Sequence, residues 1–186
     1  MVEVKLRSLC VQYAEVMAQH ISVPAIRNAL ALSEEQCSVK AMIQFIRVMT
    51  IEEMEDRFYS RLILNEKDEF IGVISLKNIN EVTKSCHIST WIAEEHWGKG
   101  YNQLAKIAML EFAFHTLQLT NVFAGARIEN IRSRQSQRHL PYMSLRVEKE
   151  FPNELRQLEL LEQSACILNV VRKENFMLWQ SSQIAG

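Results

Sequence analysis

Glu95, His96, Trp97, Gly98, Lys99 and Gly100 lie between a strand-like run and a helical one, an order that builds an anion site from main chain alone. The first amides of a helix have no partner inside it, the helix dipole adds positive potential, and glycines let a bulky diphosphate approach the backbone. Lys99 adds a cation at the same place. The Gly-x-Gly spacing also serves ordinary tight turns, so both readings stay open at this point. A dinucleotide fingerprint needs a third glycine and a preceding parallel unit, but position 103 is Gln and the strands before it read as antiparallel. A Walker loop is excluded, since neither Gly-Lys-Ser nor Gly-Lys-Thr occurs.

Composition narrows the classes further. With 186 residues, 48% hydrophobic and 23% charged, the chain has the size and balance of one self-folding domain, and a single domain over residues 1–186 is the expectation. A formal net charge of -1 gives no footprint for nucleic acid. The start of the chain alternates charged and apolar residues instead of offering an apolar signal core, and no segment reaches the roughly 20 apolar residues of a membrane span. A cytoplasmic protein without membrane or nucleic-acid partners is expected, as monomer or homodimer. Cys10, Cys37, Cys86 and Cys166 follow neither zinc nor redox spacing, so they read as free thiols and no metal is expected.

The elements that must position the loop follow from periodicity. Residues 2–9 alternate like a strand, and residues 12–19 place Tyr13, Val16 and Met17 at helical spacing. Pro24 opens a further helix, and Ser33 with Glu35 and Gln36 gives a capping signal before Val39, Met42, Ile43, Ile46 and Met49. Residues 58–64, 70–76 and 86–92, separated by polar turns, predict a three-stranded antiparallel meander. Residues 101–117 predict a helix turning Leu104, Ile107, Ala108, Leu110, Phe112 and Phe114 inward. A strand over 122–126, a helix over 131–143 and strands over 144–150 and 164–172 around a polar 154–161 stretch complete the reading.

Several of these segments, in this order, resemble the GNAT acetyltransferase superfamily: Ile71 to Leu76, His87 to Ile92, His96 to Tyr101, then Asn130 and Ser133. The loop Trp97-Gly98-Lys99-Gly100-Tyr101 is most similar to that of the ribosomal-protein-type N-terminal acetyltransferases. The resemblance implies an α+β fold in α/β/α layers. Its mixed, mostly antiparallel curved sheet has about seven strands and splays in the middle, with helices on both faces. It implies acetyl-CoA as co-substrate, with the pantetheine arm along the main chain of Trp91, Ile92 and Ala93. The diphosphate then falls on Gly98, Lys99, Gly100, Tyr101 and Asn102. Asn130 and Ser133 match family positions near the thioester, and Asn130 is equally suited to capping a helix.

The chain departs from the family at Glu95, where Arg or Gln is usual, at Asn102-Gln103-Leu104, and at Leu140-Pro141-Tyr142-Met143, which replaces a Gly-Phe helix end. In such enzymes an amine attacks the thioester directly, so a base must free the amine, main-chain amides must hold the oxyanion and an acid must protonate the thiolate. Glu94 (or Glu95), His87 and Ser89 are the candidate bases, the last two through a water, and Tyr142 is the candidate acid. Each also has a plain reading: solvated turn charges for the glutamates, a half-exposed strand histidine, a core tyrosine. Trp97 reads as an anchor. The acceptor is a protein N-terminus or a small-molecule amine, and the alternative function is a non-catalytic acetyl-CoA sensor of the same fold.

Overall fold

The computed structural model describes residues 2–184. Seven strands form one mixed sheet in the order β1-β2-β3-β4-β5-β7-β6. Their spans are β1 (Lys5–Ser8), β2 (Tyr59–Leu64), β3 (Phe70–Asn80), β4 (Ser85–Ile92), β5 (Asn121–Arg127), β6 (Met143–Ser144) and β7 (Cys166–Arg172). All of the registered pairs are antiparallel except β4 with β5. The residues group into two compact units, one running to Asn78 and including Thr90–Glu111, the other taking Ile79–Ser89 and everything from Phe112 onward. Among the described residues no helix is long and apolar enough to cross a membrane.

In the first unit, helix α1 (Ala14–Ile21) buries Ala14, Met17, Ala18 and Ile21, the spacing of a single helical stripe. Helix α2 (Pro24–Ala29) starts on its proline as expected. The Ser33 signal is real but caps only one 3-10 turn: Ser33 N donates to Gln36 Oε1 at 2.8 Å and Gln36 N donates back to Ser33 Oγ at 3.3 Å. Helix α3 (Val39–Met54) begins instead at Ser38, whose hydroxyl accepts from Ala41 N. Met17, Ile21, Met42 and Ile46 pack with Leu62, Leu64, Phe70 and Val73 of the sheet. Each such side chain contributes about 1.5–3 kcal/mol when fully buried. Met42 is core, whereas Met54 at the end of α3 is exposed.

Helix α4 (Tyr101–Glu111) follows the glycine loop, and its inner face is only partly the expected one: Leu110, and Phe114 just beyond the helix, are buried as expected. Tyr101, Ala105, Lys106, Met109 and Leu110 are buried, while Leu104, Ile107 and Ala108 are only half-buried. Counting apolar residues missed this because a lysine's aliphatic stem packs like one.

The second unit holds the larger corrections. A π-helical turn, Phe112–Thr116, closes the predicted 101–117 helix. Helix α5 (Ile131–Arg138) stops short of the expected residue 143, because Pro141 cannot continue a helix. The predicted 144–150 strand shrinks to the two residues of β6. The polar 154–161 stretch is helix α6 (Pro152–Glu162), begun by a proline at its first turn and ended by Gln163 at φ 48°. Its Leu155 and Leu158 pack against Phe123, Val147, Leu168 and Val170. A Cβ at Gly125 would lie 2.2 Å from Leu158 Cδ2, so a larger residue there would have to displace the Leu158 side chain that seats α6 on β5. Helix α7 (Lys173–Ile184) runs directly out of β7 and was not foreseen at all.

Candidate active site

The glycine loop stands open. Gly98 and Gly100 have φ of 72° and 89°, values that favour glycine, and a Cβ on either would meet nothing within 4 Å. Gly98, Lys99 and Gly100 are exposed. Among the described residues the amides of Gly98, Lys99, Gly100 and Tyr101 donate to no loop, turn or strand carbonyl. Gly100 O accepts from both Gln103 N and Leu104 N, so α4 starts there with its first amides turned toward the open side.

Three side chains hold the loop in this shape. Trp97 Nε1 donates to Ile92 O at 2.6 Å while its ring packs on the first unit's core, the anchor role expected of it. Tyr101, buried at the start of α4, donates its hydroxyl to Glu66 Oε2 at 2.9 Å. Main-chain donation from its own residue and then the Tyr101 hydroxyl hold the Glu66 carboxyl below the usual range, and the carboxylate raises the phenol. Glu95, the unusual acid of the loop, pairs with His20 Nδ1 at 3.3 Å. Burial of His96, whose ring meets Tyr101 edge-on, pushes its imidazole below the ordinary value.

The expected pantetheine strand is partly committed. Ala93 N donates to Ile71 O at 2.7 Å and Ile92 O is taken by Trp97, so a ligand there has to use other groups of Trp91 and Ile92. Trp91 packs edge-on against Phe70, and Asn102 is half-buried in the first turn of α4. Glu94 is exposed and makes no side-chain bond among the described residues. Lys106, one turn into α4 and absent from the sequence candidates, is 7% exposed. Burial lowers its ammonium to about 8. The acidic run at the end of α3 is satisfied internally, with Glu52 and Glu55 on Arg57, Glu53 on Arg61, and Asp56 on the Tyr59 hydroxyl.

In the second unit, His87 Nε2 lies 2.9 Å from Glu154 Oε2, a pairing across 67 residues that no local pattern signals. The imidazole stacks on Phe123 with centroids 5.3 Å apart. Ser89, two residues on, shares its face of the strand and is half-buried. Asn130 caps α5, accepting Ser133 N at 3.0 Å. Ser133 Oγ accepts from Gln137, which is itself bonded to Asn169 and to the Gly125 carbonyl, a buried polar chain beneath α5. Tyr142 is 2% exposed between Phe176 and Trp179, and among the described residues its hydroxyl has no hydrogen-bond partner. Burial raises that phenol well above its ordinary value. Glu94 thus belongs with the loop, whereas His87, Ser89 and Tyr142 belong to the second unit.

Known proteins are similar to this chain in sequence and fold. A family profile described as acetyltransferase (GNAT) domain matches residues 3–140. Uncharacterized N-acetyltransferase p20 of Bacillus licheniformis is 27% identical over 130 residues, 69% of this chain and 72% of that protein. Ribosomal-protein-serine acetyltransferase of Escherichia coli (strain K12) is 29% identical over 83 residues, 44% of this chain and 46% of that one. Among solved structures, Mycobacterium smegmatis RimJ in complex with CoA-disulfide superposes with a TM-score of 0.73 at 17% identity, covering 92% of this chain and 82% of that one.

Proposed function

The chain belongs to the GNAT family of acetyltransferases, and from that premise we propose that residues 1–186 act as one domain moving the acetyl group of acetyl-CoA to a primary amine. The observation that carries the reading is the open run of unspent amides on two positive-φ glycines at the start of α4. Such a cradle suits a diphosphate, because the donors are fixed before the ligand arrives and the dipole favours its charge. Acetyl-CoA supplies the activated acetyl group, and the chain supplies grip, orientation and proton transfer.

Residues 98–102 take the diphosphate, with Lys99 adding charge. The main chain of Trp91 and Ile92, beyond the end of the β4–β5 ladder at His87, takes the pantetheine arm. The resemblance adds Asn130 and Ser133 as cofactor contacts, and the capping bond of Asn130 leaves its amide nitrogen available for that task. His87, Ser89 and Glu94 are retained as proton acceptors and Tyr142 as the proton donor. An unpartnered buried hydroxyl supports the last role, since it is desolvated and committed to nothing else. The relative named for ribosomal-protein serine supports a protein N-terminus as acceptor, and a small-molecule amine such as a polyamine is the other acceptor to be tested. The cytoplasm, where the chain would meet both, is its proposed location.

The test offers acetyl-CoA with a peptide bearing a free N-terminal serine, and separately with spermidine, and follows release of the coenzyme A thiol. Thiol release with either amine, abolished in Gly98→Asp, is the expected result. Binding of acetyl-CoA without release from either amine would leave a sensor module, and no binding at all would remove the proposal.

A further inference from the structure

We propose that Glu154 is the positioning residue for the reaction's base: it fixes His87 with its proton on Nε2, leaving Nδ1 as the atom that takes the proton from the acceptor ammonium. This rests on the acetyltransferase reading. His87 Nε2 and Glu154 Oε2 are 2.9 Å apart, with side chains 12% and 24% exposed, so water screens the contact weakly. Among the described residues the Nδ1 atom makes no hydrogen bond.

The surroundings hold both partners rigidly. Phe123, under the imidazole, is 2% exposed and meets Phe151 edge-on at 4.8 Å. Phe151 leads into α6, which Leu155 and Leu158 clamp to β5 through the gap at Gly125. A glutamate in a first helical turn ordinarily serves the helix dipole. Glu154 instead aims Oε2 at a histidine on another element. The parallel β4–β5 ladder registers Ser85, Cys86 and His87 and ends with the His87–Phe123 pair, so the dyad stands where main-chain pairing stops.

The chemistry needs such a group. An amine at neutral pH carries a proton where its nucleophilic lone pair should be, and a neutral imidazole is a competent acceptor for it. One proton passes from the ammonium nitrogen to Nδ1, the charge moves onto the imidazole facing the Glu154 carboxylate, and the proton then leaves to solvent. A carboxylate on the far nitrogen both selects the tautomer and stabilises the imidazolium that forms. Glu154 is the one charged group within ion-pair distance of the ring among the described residues.

Imidazole nitrogen-15 spectra at pH 8 read the tautomer without any acceptor. Expected are a protonated Nε2 and a bare Nδ1 in the native chain, giving way to a tautomer mixture in Glu154→Gln. A native ring protonated on Nδ1, or an unchanged spectrum in Glu154→Gln, overturns the proposal. With the N-terminal-serine peptide, His87→Gln should lower kcat about 100-fold or more. Glu154→Gln should lower kcat with KM unchanged. Native kcat in His87→Gln also overturns it. Acetyl-CoA affinity should match the native value in both variants, which separates this failure from failure of the cofactor site. If Glu154→Gln does not fold, Glu154→Asp keeps the charge and should keep the bare Nδ1. Should the native chain acetylate neither amine, the acceptor reading falls and the spectrum alone decides the dyad.

Discussion

Trp97 donates its indole proton to the Ile92 carbonyl at 2.6 Å, so the residue before the first loop glycine is pinned to the strand end that precedes the loop. The bond fixes where Gly98 begins, and hence where the α4 amides point. Trp97→Phe keeps the ring in the core but removes the donor. It should cost about 1 kcal/mol of stability and weaken acetyl-CoA binding several-fold, read from a melt and a titration. An unchanged affinity would mean that the loop holds its shape without the indole.

Tyr101 and Glu66 form the second tether, and their bond carries a pH signature. The folded Glu66 carboxyl is held below its unfolded value, so its contribution is present at neutral pH and lost as the medium is acidified through the folded range. Tyr101→Phe should therefore melt below the native chain at pH 7, with the gap closing toward pH 3. A gap of equal size at both pH values contradicts the tether.

Lys106 makes the opposite prediction. Burial holds its ammonium at about 8 in the folded chain against an ordinary 10.5. A base so depressed destabilises the fold fully below the folded value, and the penalty is relieved as pH rises through the unfolded one. At about 1.4 kcal/mol per unit the penalty is a sizeable share of a domain's stability. Lys106→Met, similar in length and uncharged, should raise the melting temperature by several degrees at pH 7 and by much less at pH 10.5. A variant that melts lower at pH 7 would show that the ammonium is satisfied in the fold.

The parts of this picture that the sequence disclosed are those with local causes. The presence of α1, the proline start of α2, the polar turn between β2 and β3, and the glycine loop all announce themselves within a few residues, although of the residues read as the α1 stripe only Met17 is buried. Helix α6 did not, because Leu160 and Leu161 face solvent at 71% and 69% exposure and blur the stripe formed by Leu155 and Leu158. Helix α7 leaves β7 without a turn, so no breaker marks its start. The strand expected over 144–150 overlaps the observed β6 only at Ser144, since Arg146 turns to φ 59° and the chain leaves the ladder. His87 read alone was an ordinary strand histidine. Only the fold supplies Glu154.

Glu95 tests the electrostatics of the loop. Its carboxylate lies 3.3 Å from His20 Nδ1, yet its side chain is 53% exposed and the contact is weak. Glu95→Gln should tighten acetyl-CoA binding by about 2-fold to 3-fold at low ionic strength, an advantage that disappears at high salt where the Debye length is about 3 Å. Weaker binding in the variant would mean that the carboxylate supports the loop through His20.

Titration of the isotope-labelled native chain with acetyl-CoA, followed by main-chain amide spectra, reaches the central claim most directly. Gly98, Lys99, Gly100, Tyr101 and Asn102 should show saturable shifts among the largest in the chain. If acetyl-CoA binds and those amides stay where they were, the glycine loop is a turn and the assignment of the diphosphate to it is wrong.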